Sequence, residues 1–203
     1  MSAKLGEIIM AEENNMHAKV AMGEVFGLYM IALVGALVGS YGLKVFDGLG
    51  VIINVAVYLG IGLLVCMFIA FLNENLLLTG IFGVLGIFLV SFSQMVAGAM
   101  GAFGDFASAM VYMVAIGVLL LIMALISWMQ PVKLLPILLI FGGLSFISLG
   151  FWFNDFGAGN GENLRMIVGV LWIITGLLAA YLGAAITMLV MKGKPVLPLL
   201  IMK

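Results

Sequence analysis

Long apolar runs separated by brief polar connections dominate the chain. Six of them stand at roughly 24–43, 49–72, 75–98, 107–129, 133–153 and 164–191, each long enough for a helix to cross a hydrocarbon core about 30 Å thick. Lipid offers no hydrogen-bond partner to a bare peptide group, so runs of this kind are predicted as helices and not as open strands. The connections are short: Lys44 to Gly48, Asn73-Glu74-Asn75, Ala99 to Phe106, Gln130-Pro131 and Asn154 to Asn163. None can separate two domains. The pattern predicts an all-α integral membrane protein, with six transmembrane helices in one compact bundle over 23–192. A polar arm at 1–22 precedes the bundle and a tail at 193–203 follows it.

Composition agrees with the pattern and narrows the chemistry. Of 203 residues, 66% are hydrophobic and 8% charged, where a soluble domain carries about 25% charged residues. A net charge of −1 leaves no basic patch for phosphates, which argues against nucleic acid as a partner. One histidine (His17), one cysteine (Cys66) and no embedded carboxylate pair supply no catalytic triad, metal cage or acid–base dyad. Neither an enzyme nor a metal or cofactor site is expected. Gly157-Ala158-Gly159-Asn160-Gly161 is glycine-rich, but it follows no strand and no lysine closes it, so it reads as a connection and not a phosphate loop.

Cation placement gives an orientation. Lys4, Lys19, Lys133, Lys192, Lys194 and Lys203 fall on the side of the N-terminus, and only Lys44 and Arg165 on the other. The excess places both termini in the cytoplasm of a multi-pass cell-membrane protein. Leu5, Ile8, Ile9 and Met16 make the arm weakly amphipathic, suited to lying on the lipid surface. The arm lacks the apolar centre of a cleavable signal, so the first span is read as the insertion signal. Pro131 and Pro136 bracket the start of the fifth helix, where a missing amide proton costs least. Pro195 and Pro198 are expected to stop the sixth.

Small residues mark packing seams. Gly35 and Gly39 lie on one face of the first span, and Gly169, Gly176 and Gly183 recur every seven residues in the sixth. Such faces let helix backbones approach closely. They exceed what one bundle is expected to use, which points to a symmetric homo-oligomer. Most serines and threonines in the spans are expected to bond to backbone or neighbouring helices. Asn54 and Tyr58, four apart on one helix face, and Glu24, alone in the first turn of the first span, are the polar candidates for a solute path. Glu24 is either a helix-end charge or a gate or proton site at a pore mouth. No arginine or lysine lies at the centre of a span. A conduit built this way favours small, weakly polar solutes, or anions crossing with much of their water or as the neutral acid.

The chain resembles the acetate uptake transporter family, the succinate–acetate permeases. Ala179-Ala180-Tyr181-Leu182-Gly183 running on to Pro195-Val196-Leu197-Pro198 is similar to the family's Tyr-Leu and Val-Leu-Pro pattern. Asp47-Gly48, Tyr58 with Gly60, and Gly86 also fall in register. Of the family's first-helix signature, Asn-Pro-Ala-Pro-Leu-Gly-Leu, only Gly27-Leu28 match; Met22, Gly23, Glu24, Val25 and Phe26 stand in the other places. The family's constriction ring falls on Ile31, its constriction tyrosine on Leu85, and its third member on Phe141 or Gly142. The resemblance implies six spans, a hexamer and a pore within each protomer for a small monocarboxylate such as acetate, with succinate transport or proton symport as options. The candidate pathway is Glu24, Phe26, Ile31, Asn54, Tyr58, Leu85, Phe141 and Tyr181, lined by helices one, two, three and five. Two alternatives stand beside it: a channel for a neutral urea- or amide-type solute, and a membrane assembly subunit that conducts nothing. Expected partners are the solute, membrane lipid and further copies of the chain.

Overall fold

The computed structural model describes residues 23–100, 106–130, 132–157, 159, 161–193 and 197–198. The polar arm at 1–22 and most of the tail lie outside the described residues. The described residues form six helices and no strand. They are α1 (Gly23–Gly42), α2 (Gly50–Leu72), α3 (Leu76–Met100), α4 (Phe106–Ser127), α5 (Leu134–Gly157) and α6 (Glu162–Lys192). Five are long and apolar enough to span a membrane. The other, α3, has 25 residues and so reaches about 37 Å at 1.5 Å per residue. The molecule is a multi-pass, all-α membrane protein.

Local chemistry sets the helix ends. Asn75 caps α3: its side-chain oxygen accepts the Leu78 N–H at 3.3 Å, the usual service of an N-cap amide. Just before it, Glu74 takes a left-handed φ of 57°, which lets the Asn75 N–H reach back to the Ala70 carbonyl at 3.0 Å and close α2. Gly193, at φ 63°, ends α6 in the left-handed conformation that glycine adopts most easily. Pro195, expected to stop this helix, lies outside the described residues, and Pro198 comes later. α5 runs through Asn154 and Asp155 to Gly157, so the loop expected from 154 to 163 is largely helical. Polar side chains at a membrane surface do not unwind a helix whose backbone bonds are already made.

Facing glycines clamp the helices into three pairs. A Cβ on Gly60 of α2 would lie 2.9 Å from the Gly86 carbonyl of α3, and one on Gly117 of α4 2.7 Å from the Gly143 carbonyl of α5. The third pair joins the ends of the bundle. A Cβ on Gly35 would lie 2.5 Å from the Gly176 Cα, and one on Gly42 2.4 Å from the Gly169 Cα, while Gly183 meets Tyr29 and Leu28. The seven-residue glycine repeat of α6 is therefore matched, in antiparallel register, along α1. This corrects the oligomer argument drawn from the sequence: the seams at Gly35/Gly39 and Gly169/Gly176/Gly183 are filled within one protomer and leave no spare glycine face for a second copy.

The serines follow the expected pattern. Ser91, Ser127 and Ser148 each donate to a carbonyl three residues earlier, at 2.8–3.0 Å.

Candidate functional site

The inward faces of α1, α3 and α5 repeat buried apolar side chains at helical spacing: Leu28, Ile31, Val34, Val38 and Tyr41; Ile81, Leu85, Phe88, Leu89, Phe92 and Val96; Leu135, Leu138, Phe146, Leu149 and Trp152. Between them lie three cavities in succession along the bundle. The first, about 40 Å³, lies toward the N-terminal side and is lined by Leu28, Ile31, Leu85, Leu138, Gly142 and Thr175 among others. The second, about 30 Å³, follows among Val38, Ile52, Leu59, Phe92, Leu149 and Trp152. The third, about 150 Å³, opens at the far end against Tyr41, Trp152, Phe156, Glu162 and Arg165.

Residues shared by neighbouring cavities form the partitions. Val34, Leu89 and Trp172 line both the first and the second. The rings behind them interlock: Phe88 meets Phe146 edge-on at 4.9 Å, and Phe146 meets Trp172 at 5.0 Å. Tyr41 and Trp152 divide the second from the third, their rings T-shaped at 5.8 Å. Each inner cavity has room for only a few waters, and the shared side chains narrow the space between one cavity and the next.

Charge gathers at the far mouth. The Arg165 side chain is 10% exposed. It donates twice to the Tyr41 carbonyl, at 3.1 and 3.0 Å, and to Asp47 Oδ1 at 2.8 Å. Its guanidinium sits 4.3 Å from the centre of the Tyr41 ring. Glu162 pairs with Lys44 and, at 3.5 Å, with Arg165. The hydrogen bond from Lys44, with the positive charges of Lys44 and Arg165 behind it, holds the Glu162 carboxyl below the usual carboxylate range. Two cations and two carboxylates thus fasten the start of α6 to the end of α1 and the connection after it. Arg165 is a structural pin through its Nε and Nη2 donors, with Nη1 turned toward Glu162.

The structure divides the residues named from sequence. Ile31 and Leu85 come together on the first cavity, and of Phe141 and Gly142 it is Gly142 that lines it. Phe141 is half-buried beside it; its carbonyl accepts the Ser145 hydroxyl at 2.8 Å. Glu24 lies at the near end of α1, off the cavities, and accepts a hydrogen bond from the Asn75 amide at 2.9 Å, which joins α1 to the α3 cap. Phe26, Asn54 and Tyr58 point out of the bundle, Tyr58 being 75% exposed. Tyr181 is half-buried and donates through its hydroxyl to the Pro198 carbonyl at 3.1 Å, tying α6 to the tail.

Sequence reasoning passed over Trp152 and Trp172 and used Arg165 only to orient the bundle. A signal was present in α6, where Arg165, Val168, Trp172, Thr175 and Ala179 alternate three and four apart and are all buried. That spacing is one helix face. Thr175 on this face contacts Ser145 of α5 through their hydroxyls at 2.9 Å.

This arrangement matches a solved structure. The bacterial acetate channel SatP superposes with a TM-score of 0.77 over 87% of this chain and 97% of its own, at 19% sequence identity. The two proteins share a fold. No family model matches the chain, and no curated protein matches its sequence.

Proposed function

We propose that the protein is a passive membrane conduit for a small monocarboxylate such as acetate, with one path inside each protomer and both termini in the cytoplasm. The observation that carries this reading is the line of three cavities through the centre of the bundle, in a fold shared with an acetate channel. A subunit serving only assembly has no need of aligned cavities, since a well-packed interior leaves few voids. Passive flow is favoured over proton symport because no Asp, Glu or His lines the two inner cavities among the described residues. Purified protein in liposomes should pass acetate and formate faster than empty liposomes do, and faster than it passes urea. Leu85→Tyr, which fills much of the first cavity, should slow acetate about tenfold, an added barrier of about 1.4 kcal/mol. Acetate flux no greater than in empty liposomes sinks the proposal.

Assembly is part of the same proposal. With the glycine seams filled, a hexamer of the kind the family resemblance implies rests on the outer faces. There Asn54 and Tyr58 stand exposed on α2, with Phe26 exposed on α1. An amide facing lipid lacks partners, and a neighbouring protomer would supply them. Native mass measurement in mild detergent should give a multiple of the 21.6 kDa chain, six being expected; monomer alone across several detergents would refute it.

A further inference from the structure

Trp152 of α5 and Trp172 of α6 are 4% and 3% exposed, and the indole N–H of each has no acceptor among the described residues. Buried tryptophans ordinarily find a partner for that proton, and an orphaned buried donor calls for an explanation. Both rings line the second cavity. They come from two different helices, so one accident of packing does not account for both. The rest of that cavity is apolar apart from Tyr41 at its outer end. The nearby cation, Arg165, lines the third cavity and not the second, and its Nε and Nη2 donors go to Tyr41, Phe46 and Asp47.

We infer that the second cavity is the binding station of the path, in which the indole N–H groups of Trp152 and Trp172 donate to the oxygens of a small carboxyl head. This rests on the conduit reading above and names the chemistry by which the path selects. An indole is a donor only, and a carboxylate is an acceptor only, so the two indoles can bond one to each oxygen, the remaining acceptor sites being left to water carried in with the solute. The short hydrocarbon end of the solute sits among Val38, Leu59 and Phe92. Urea or an amide can accept one indole N–H at its carbonyl, but it brings N–H donors of its own that the apolar cavity leaves unpaired. A site that leaves polar groups unpaired rejects the wrong solute strongly. In this conformation the rings line the cavity with carbon and both N–H groups are covered; the station forms as the partition side chains turn and bare the two donors.

The test uses the full chain with ¹⁵N-labelled tryptophan in lipid nanodiscs. Trp128, just past the end of α4 and 52% exposed, is the internal control, and Trp128→Phe, Trp152→Phe and Trp172→Phe assign the three indole signals. Sodium acetate, added at constant pH against sodium chloride, should shift the Trp152 and Trp172 signals and leave Trp128 in place; urea at the same concentration should shift them far less. In liposomes, benzothienylalanine placed at Trp152 or at Trp172 keeps the fused ring and its volume and loses the N–H donor, and each replacement should cut acetate flux about tenfold, as expected for one hydrogen bond to a charged group. If the parent carries acetate while both signals stay still, the inference is wrong and the conduit stands. If the signals move with acetate but the parent carries none, the station is real and the conduit reading falls. Urea shifting the indoles as strongly as acetate overturns the selectivity. Should a phenylalanine variant fail to fold, the titration of the parent, assigned through the other two variants, still decides.

Discussion

Gly35→Leu should yield no folded protein in detergent extracts, whereas Gly62→Ala should behave like the parent. At position 35 even a Cβ would come within 2.5 Å of the Gly176 Cα and 2.8 Å of the Trp172 carbonyl. These are backbone atoms of a neighbouring helix, and they cannot turn aside as a side chain can. A leucine would force α1 and α6 apart along their length and open the cavities that both helices line. The cost should reach or exceed about 3 kcal/mol, the upper end of ordinary overpacking. At position 62 the added carbon meets only the tip of the Met30 side chain at 3.2 Å, which has room to swing. Size-exclusion profiles and thermal melts of the two variants make the comparison. A monodisperse Gly35→Leu protein with a parental melt would show that the α1–α6 seam is not as tight as drawn.

Leu89→Ala should raise acetate flux about tenfold, a barrier lowered by about 1.4 kcal/mol, while making the protein less stable. Leu89 stands in both inner cavities, and cutting it back joins the two and breaches the inner partition. Truncating a buried leucine costs about 2–5 kcal/mol, so the melting temperature should fall as the flux rises. Leu119→Ala is the comparison: this side chain of α4 is 43% exposed on the outside of the bundle, and its loss should move neither quantity much. The opposed directions identify the residue as a barrier. Were flux to fall together with stability, the partition would have been placed wrongly.

The sequence made the helices legible because a membrane leaves few alternatives. Runs of about twenty apolar residues must be helical to satisfy their own backbone, and the six expected runs lie within a few residues of the six observed helices, α5 excepted at its end. The facing of each helix was much harder to read. In a soluble bundle the polar side of a helix marks the outside, but here lipid and protein interior are equally apolar. Asn54 and Tyr58 were rightly placed on one face of α2, yet nothing in the letters said that this face is the outer one. The heptad of Gly169, Gly176 and Gly183 marked a close contact without naming the partner, because any of the other helices, or another protomer, satisfies the same pattern. Ile31 and Leu85 meet at the first cavity, and a resemblance to the family's constriction led to them, since their own chemistry is that of any buried aliphatic. Trp172 went unread because a tryptophan inside an apolar helix looks like packing until its N–H is seen to lack a partner.

The pairing of α1 with α6 has a consequence for biogenesis. α1 is locked, backbone to backbone, against α6, the described helix furthest from it along the chain. The hairpins α2–α3 and α4–α5 can close as soon as their second members are inserted, but α1 must wait in the bilayer with its glycine groove bare until α6 has followed the four helices between them. The α1–α6 seam is therefore the last of the three pairings that can form, and a chain cut short before α6 leaves the glycine groove of α1 open to lipid.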